Sequence, residues 1–429
     1  MAINTNINLR NQIIYCIYVR NHSEEGTFKG VQKDLKRIKE LGTDIIWFMP
    51  IHPIGVEGKK GSLGCPYSIK DYRKVNEEYG TMDDFKEVVD EIHNLGMKCI
   101  IDVVYNHTSL DSWLVKNHIE YFYKKADGSL GNKVGDWEDV IDLDYNNKEL
   151  WDYQIDTLKM WAEIVDGFRC DVASLVPIEF WEKARKEINS LYPECIWLSE
   201  SVEPGYIKLN RKQGFVGHSD SEIYKAFDIT YDYDILGFFN KYIDGKISLS
   251  NYIDILNFQD CIYPTNYIKL RFLENHDQPR IKSRIKDEEQ LKNITAFLYF
   301  QKGTTLIYAG QEKENVIRPN LFEIDKVNWN TGYDISELMQ CLYKIKKDQI
   351  FIEGDYTLEC DNDQDIIIGK YETEDEKVIG IFSIRGKKPN ISVELQDGKY
   401  LNLIDNSELQ VNDGKIKLSG KPIIIKLFK

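Results

Sequence analysis

Short apolar, β-branched runs alternate along most of the chain with amphipathic stretches, the pattern of repeated strand–helix units built on a parallel sheet. Eight such runs occur, at 13–19 (IIYCIYV), 44–50 (DIIWFMP), 98–104 (KCIIDVV), 167–173 (GFRCDVA), 195–201 (CIWLSES), 226–232 (AFDITYD), 268–274 (IKLRFLE) and 304–310 (TTLIYAG). Between them, 29–42 (KGVQKDLKRIKELG) and 81–96 (TMDDFKEVVDEIHNLG) carry apolar residues three and four apart and end in glycine, as a helix closing before the next strand does. Thr81 is placed to cap the second of these. Eight units predict a closed α/β structure, the (β/α)8 TIM barrel, spanning 1–107 and 145–347, with its chemistry on the loops that follow the strands. One connection is oversized: 108–144 predicts a short inserted subdomain, an excursion after the third strand that lies over the barrel mouth. Beyond it, 348–429 reads as short alternating strands with DG, RG and SG turns, which predicts a C-terminal antiparallel β-sandwich domain. No Ser/Pro-rich linker intervenes, so a fixed interface between the two is expected.

Composition narrows the class without naming it. With 42% hydrophobic and 29% charged residues among 429, the chain is neither collagen-like nor broadly disordered. Seventy acids against 55 bases leave a net charge of −15, which argues against nucleic acid or an anionic membrane surface as partner. No window approaches roughly 18 consecutive apolar residues, and the start lacks the apolar stretch of an export signal, so a cytoplasmic location is expected. The eight cysteines form no CxxC pair, and Cys16, Cys99, Cys170 and Cys195 sit inside apolar runs, where they are expected as buried structural thiols.

Candidate chemistry collects at the predicted strand ends. The third strand delivers Asp102, Asn106 and His107; the fourth, Arg169 and Asp171; the fifth, Glu200; the seventh, His276 and Asp277. Convergent carboxylates without a cysteine cluster suit glycoside cleavage, in which one acid attacks the anomeric carbon and another protonates the departing oxygen. Arg169 and Asp171 share one face of a strand, and the positive charge is expected to keep that aspartate ionised. Glu200, flanked by Trp197, Leu198 and Val202, is expected to be desolvated and to hold its proton as general acid. Taken singly, an Arg two residues from an Asp on a strand is more often a structural ion pair, and His107 and His276 are more often hydrogen-bonded structural residues. Their joint arrival at successive strand ends is what points to a site.

DVVYNHTS (102–109), GFRCDVA (167–173), the SE of WLSES (199–200) and ENHD (274–277) resemble the four short segments shared by the α-amylase family of retaining glycoside hydrolases and transglycosylases. GCPYSIKDY (64–72) and YAGQE (308–312) are similar to two further family segments, and the likeness covers nearly the whole chain. The resemblance implies Asp171 as nucleophile, Glu200 as acid/base and Asp277 as the third, substrate-holding carboxylate. It also implies that Arg169 orients Asp171, that His107 and His276 bind the sugar beside the cleaved bond, that Tyr67 forms its stacking platform and that Asp102 is a supporting acid.

Departures from the family pattern matter as well. Ser174-Leu175 stands where many starch-degrading members carry Lys-His, which argues against long-polymer digestion. Asn106 matches a position that often binds calcium in the family, with Asp142 and Asp144 as further donors. The excursion lacks the dense Asp/Asn cluster that would supply calcium's six to eight oxygens, so no cofactor is expected to be required, with calcium the one candidate. HDQPR (276–280) resembles members acting on short oligosaccharides, and Gln278 and Arg280 are placed to border the entrance. The expected partner is an α-glucan or malto-oligosaccharide substrate. The leading expectation is an α-glycosidase, with a 4-α-glucanotransferase as the alternative in the same chemistry. A non-catalytic barrel serving as a binding or partner subunit is the alternative of another class, and such a barrel is expected to have lost at least one of the three acids. The terminal domain shows few tryptophans and is read as a structural cap.

Overall fold

The computed structural model describes residues 5–135 and 137–429; residues 1–4 of the expected barrel range and Asp136 of the excursion lie outside the described residues. Eight parallel strands close into a barrel: β1 (Ile13–Ile17), β2 (Ile45–Phe48), β3 (Lys98–Val103), β4 (Gly167–Cys170), β5 (Ile196–Ser199), β6 (Ile229–Tyr231), β7 (Lys269–Arg271) and β8 (Thr304–Tyr308). Closure is made by β1, which pairs with β8 (Ile14 opposite Leu306) and with β2 (Ile14 opposite Ile45). Each strand falls inside one of the eight apolar runs. Their near-continuous hydrophobicity follows from burial on both faces, inward against the barrel core and outward against the helices.

The helices follow the sequence pattern with one difference. The stretch at 29–42 divides into Phe28–Gln32, capped by Thr27, and Leu35–Gly42. At 81–96 a single helix, Met82–Asn94, starts from a capping box in which Thr81 and Asp84 satisfy each other's backbone N–H groups. The excursion is a two-stranded antiparallel ribbon, His107–Ser109 against Val140–Asp142, with a short helix and loops between. It is tied to the barrel rim by the Leu143 N–H to the Asn106 carbonyl (2.9 Å) and by the Tyr72 hydroxyl, which donates to the Val104 and His107 carbonyls.

The terminal unit is a sandwich of two four-stranded antiparallel sheets. One contains β9 (Asp355–Asp361), β10 (Ile366–Glu372), β11 (Glu376–Ser383) and Ile423–Phe428; the other contains Asn390–Ser392, Lys415–Lys417, Glu408–Asn412 and Gly398–Leu401. Ile366, Ile381 and Ile423 of the first meet Ile391, Val411 and Ile416 of the second in a core of their own. The opposite face of the first sheet lies on the barrel. Phe300, at the end of a barrel helix, packs against Phe382 and Tyr371, with ring centroids 5.3 Å away in each case. Gly369 and Gly380 make this approach possible, since a Cβ on either would stand 2.4 and 2.8 Å from the Phe300 ring.

All eight cysteines are unpaired, and Cys16, Cys99, Cys170 and Cys195 are buried. Among the described residues no helix is long and apolar enough to cross a membrane.

Because Phe300 anchors the sandwich to the barrel, Phe300→Ala should lower stability by about 3–5 kcal/mol. A urea titration followed by both far-UV CD and tryptophan fluorescence measures this. Loss of less than about 1 kcal/mol would show that the interface rests elsewhere.

Candidate active site

The parallel ladder runs past the strand ends and sets the height of the acidic side chains. Asp171 N–H donates to the Val103 carbonyl and Glu200 N–H to the Cys170 carbonyl, both at 2.9 Å, so the residues after β4 and β5 emerge at the same rim as Asp102 of β3. After β7 the chain turns sharply. The Asn275 side chain accepts from the N–H groups of Asp277 and Gln278, which aims His276 and Asp277 back over the mouth.

Arg169 lies at the centre, with no solvent exposure. Its Nη1 donates to Asp102 (2.8 and 3.0 Å) and to Asp171 (2.9 Å), its Nη2 is 3.0 Å from Glu200 Oε2, and its Nε donates to the Tyr231 hydroxyl (3.3 Å). The rings of Trp47, Tyr67 and Tyr231 surround it, with centroids 5.1–5.6 Å from the guanidinium carbon. One buried cation therefore serves three carboxylates inside an aromatic cage.

Burial dominates the proton affinities of these acids. It pushes Asp102 up to about 6, Asp171 up to about 6 and Glu200 up to about 7, with Arg169 opposing each rise. Desolvation thus outweighs the shared charge at Asp171, while Arg169 limits the rise so that the carboxyl still ionises below neutrality. Asp277 goes the other way. Burial also disfavours its charge, but His276 Nε2 lies 3.0 Å away, and with Arg169 and Arg318 it brings the carboxyl down to about 2. Burial disfavours the charged form of His276, yet the adjacent Asp277 raises its pKa overall; His107, more deeply desolvated than compensated, is lowered.

The remaining expected residues are also at the mouth. The Tyr67 hydroxyl donates to Asp102 (3.0 Å) and lies 2.8 Å from His276 Nε2, and its ring stacks on the His276 ring (5.4 Å, 18°). His107 Nδ1 is 3.2 Å from the Asn106 amide, and its ring meets Trp137 at 5.5 Å.

Two placements differ from expectation. Arg280 is wholly buried, paired with Glu274 (2.6 Å) and donating to the Ala309 carbonyl, so it braces the β7 loop and does not border the entrance. Around Asn106 few oxygens are left for calcium: its amide nitrogen donates toward Asp142 (3.4 Å), whose carboxylate also accepts from Asn132 (3.3 Å) and the Lys133 backbone (2.7 Å). Asp144 is taken up by the N–H and amide of Asn146. Among the described residues no group of three or more His, Cys, Asp or Glu side chains is arranged to hold a metal ion.

Sequence reasoning missed Val172, which adopts a left-handed backbone (φ 35°, ψ 42°) immediately after Asp171 and directs its N–H to Glu200 Oε2 (2.9 Å). A β-branched residue in that region costs on the order of 1–3 kcal/mol, and such strain gathers at functional sites. Trp47 and Tyr231 were also missed. Their apolar runs mark them as core, and nothing local shows that they face a cation.

A carboxylate cluster at the C-terminal rim of a (β/α)8 barrel, with the acids' proton affinities spread by burial and pairing, defines a glycoside-cleaving class of barrel enzyme. The comparisons identify it further. The profile of the α-amylase catalytic domain matches residues 18–138 and 135–350, and that of the bacterial α-amylase C-terminal domain matches 357–425. The chain belongs to the α-amylase family of glycoside hydrolases. A crystal structure of an α-amylase from Lactobacillus plantarum is 47% identical, covers 98% of this chain and 100% of its own, and superposes with a TM-score of 0.97. A maltogenic α-amylase of Thermotoga neapolitana is 35% identical over 98% of this chain and 100% of its own, with a TM-score of 0.86. A protein described as probable oligo-1,6-glucosidase 3 of Bacillus subtilis is 26% identical over 75% of this chain and 69% of its own.

The pKa directions set an expected pH profile. A step needing Asp171 ionised fails as pH falls through about 6, and one needing Glu200 protonated fails as pH rises through about 7. The pair should therefore give a narrow bell for kcat/KM with its optimum between those values. A plateau extending above pH 9 would contradict it.

Proposed function

We propose that this chain hydrolyses α-glucosidic bonds in maltodextrin-like oligosaccharides by double displacement, with retention at the anomeric carbon. The observation that supports the reading is that one guanidinium group lies beside both Asp171 (Nη1, 2.9 Å) and Glu200 (Nη2, 3.0 Å), which keeps the two carboxyls near each other, as double displacement requires. Asp171, the more readily ionised of the two, attacks C1 while Glu200 gives its proton to the departing glycosidic oxygen. The glycosyl ester formed on Asp171 is then opened by water, from which Glu200 takes a proton, so both groups return to their starting state.

Asp277, anionic through its pairing with His276, is placed to hold sugar hydroxyls and to favour the positive charge developing on the ring. Tyr67, His107 and His276 line the pocket beside it, and Asp102 keeps Arg169 in register. No step is routed through a cation. Relatives described as α-amylases and oligo-1,6-glucosidases support an α-glucan or malto-oligosaccharide as substrate. Leu175, in place of a sugar-binding histidine, favours short chains. Eight unpaired cysteines fit a reducing compartment, and the reading includes a cytoplasmic setting.

Asp171→Asn and Glu200→Gln should each lower kcat on an activated α-glucoside by about 10⁴-fold or more, since nucleophile and acid act as one unit. Proton NMR of the first product formed should show the α-anomer; the β-anomer would rule out double displacement. With maltotriose, glucose and maltose are expected. Early accumulation of longer chains with little free glucose would move the assignment to a glucanotransferase.

A further inference from the structure

The point where the excursion meets the barrel is held together by a chain of hydrogen bonds with a lysine at its middle. The segment 131–133 runs back along 140–143. Asp142 N–H donates to the Gly131 carbonyl (3.2 Å), the Asn132 amide donates to the Val140 carbonyl (3.1 Å), and Lys133 N–H donates to Asp142 Oδ2 (2.7 Å). The Lys133 side chain then folds inward, and Nζ donates to the Leu143 carbonyl at 2.6 Å. That residue's own N–H is bonded to the Asn106 carbonyl, so the lysine reaches the backbone that leads from β3 into His107. Asp142 and Asp144 are the carboxylates whose charge acts on Lys133, while burial works against its positive form.

Asn106, Asp142 and the Leu143 carbonyl form an oxygen-bearing junction between barrel and excursion, yet it holds too few free oxygens for calcium, which needs six to eight. A single ammonium group donates to the Leu143 carbonyl and adds positive charge near Asp142 and Asp144 without such a cage. We propose that the side chain of Lys133 is the built-in cation of this junction: within the excursion it braces the Leu143 peptide, whose own N–H holds the excursion to the barrel at Asn106, and it thereby helps keep His107 in the substrate pocket, in place of a bound calcium ion. Lys133 is thus a positioning residue, and its effect reaches the substrate through Leu143, Asn106 and His107. The stability part of this inference stands on geometry alone, whereas the effect on substrate rests on the proposed α-glucosidase activity.

The test compares the full-length protein with Lys133→Met, which keeps the stem and removes the charge, and Lys133→Arg, which keeps the charge. Thermal unfolding is measured in EDTA and in about 1 mM calcium chloride. The parent Tm should be the same in both. Lys133→Met should lose at least about 2 °C, and Lys133→Arg less than half as much. In steady-state assays Lys133→Met should raise KM several-fold with a smaller change in kcat. Three outcomes would overturn the proposal: a parent Tm that falls in EDTA and recovers with calcium, equal losses in the Met and Arg variants, or an unchanged Tm in both. If the parent shows no α-glucosidase activity while the Tm pattern holds, the proposed activity fails and the fastening role stands. If the Tm pattern holds and KM stays level, the link to His107 is refuted.

Discussion

A single desolvated guanidinium shared among three carboxylates is the constraint on which the site depends. Arg169 has no access to water, so its charge must be met by Asp102, Asp171 and Glu200 together. Three acids on one cation leave a surplus of negative charge, and in a buried setting the excess is relieved by binding protons. Burial therefore raises all three, and Glu200 rises furthest, to about 7. The difference between Glu200 and Asp171 is modest, but it lies near neutrality, where it separates a proton donor from an anion.

The surrounding rings give this arrangement its geometry. Trp47, Tyr67 and Tyr231 leave the guanidinium little freedom to turn, and the Tyr231 hydroxyl fixes its Nε end. Nη1 is thereby shared between Asp102 and Asp171, while Nη2 faces Glu200. Val172 adds a further device, since its unfavourable backbone conformation turns an N–H group onto Glu200. Asp277 has its own partner, His276, and its negative charge adds to the rise of Asp171 and Glu200, so a strongly anionic carboxylate stands beside three that are raised toward neutrality.

The outer parts support that centre at different distances. The excursion packs Trp137 against His107 and is bound to the rim by the Leu143 N–H on the Asn106 carbonyl, with Lys133 bracing the Leu143 carbonyl from inside the excursion. The C-terminal sandwich closes over Phe300 on the opposite side of the helical layer, where two glycines let an aromatic ring lie flush against a sheet. Hydrogen bonds add to this apolar packing, among them Asn293 to the Gly420 carbonyl, Arg385 to the Tyr242 carbonyl and Asn257 to the Leu358 carbonyl.

Much of this was legible in the residues themselves. A strand buried on both faces must be apolar throughout, so the eight runs of the barrel stand out locally, and the acids stand out because each interrupts or ends such a run. Thr81 with Asp84 marks a helix start for the same reason: the chemistry lies within four neighbouring residues. What depends on closure of the ring was not legible. That Glu200 shares the cation of Asp171, that Tyr231 and Trp47 turn toward it, and that Arg280 is buried against Glu274 all follow from pairing between elements. The sequence alone determined which residues are strands and which acids end them, because those properties are local. Only the tertiary structure decided how one positive charge is divided among the acids, because that division is set by distances between strands that meet only when the barrel closes.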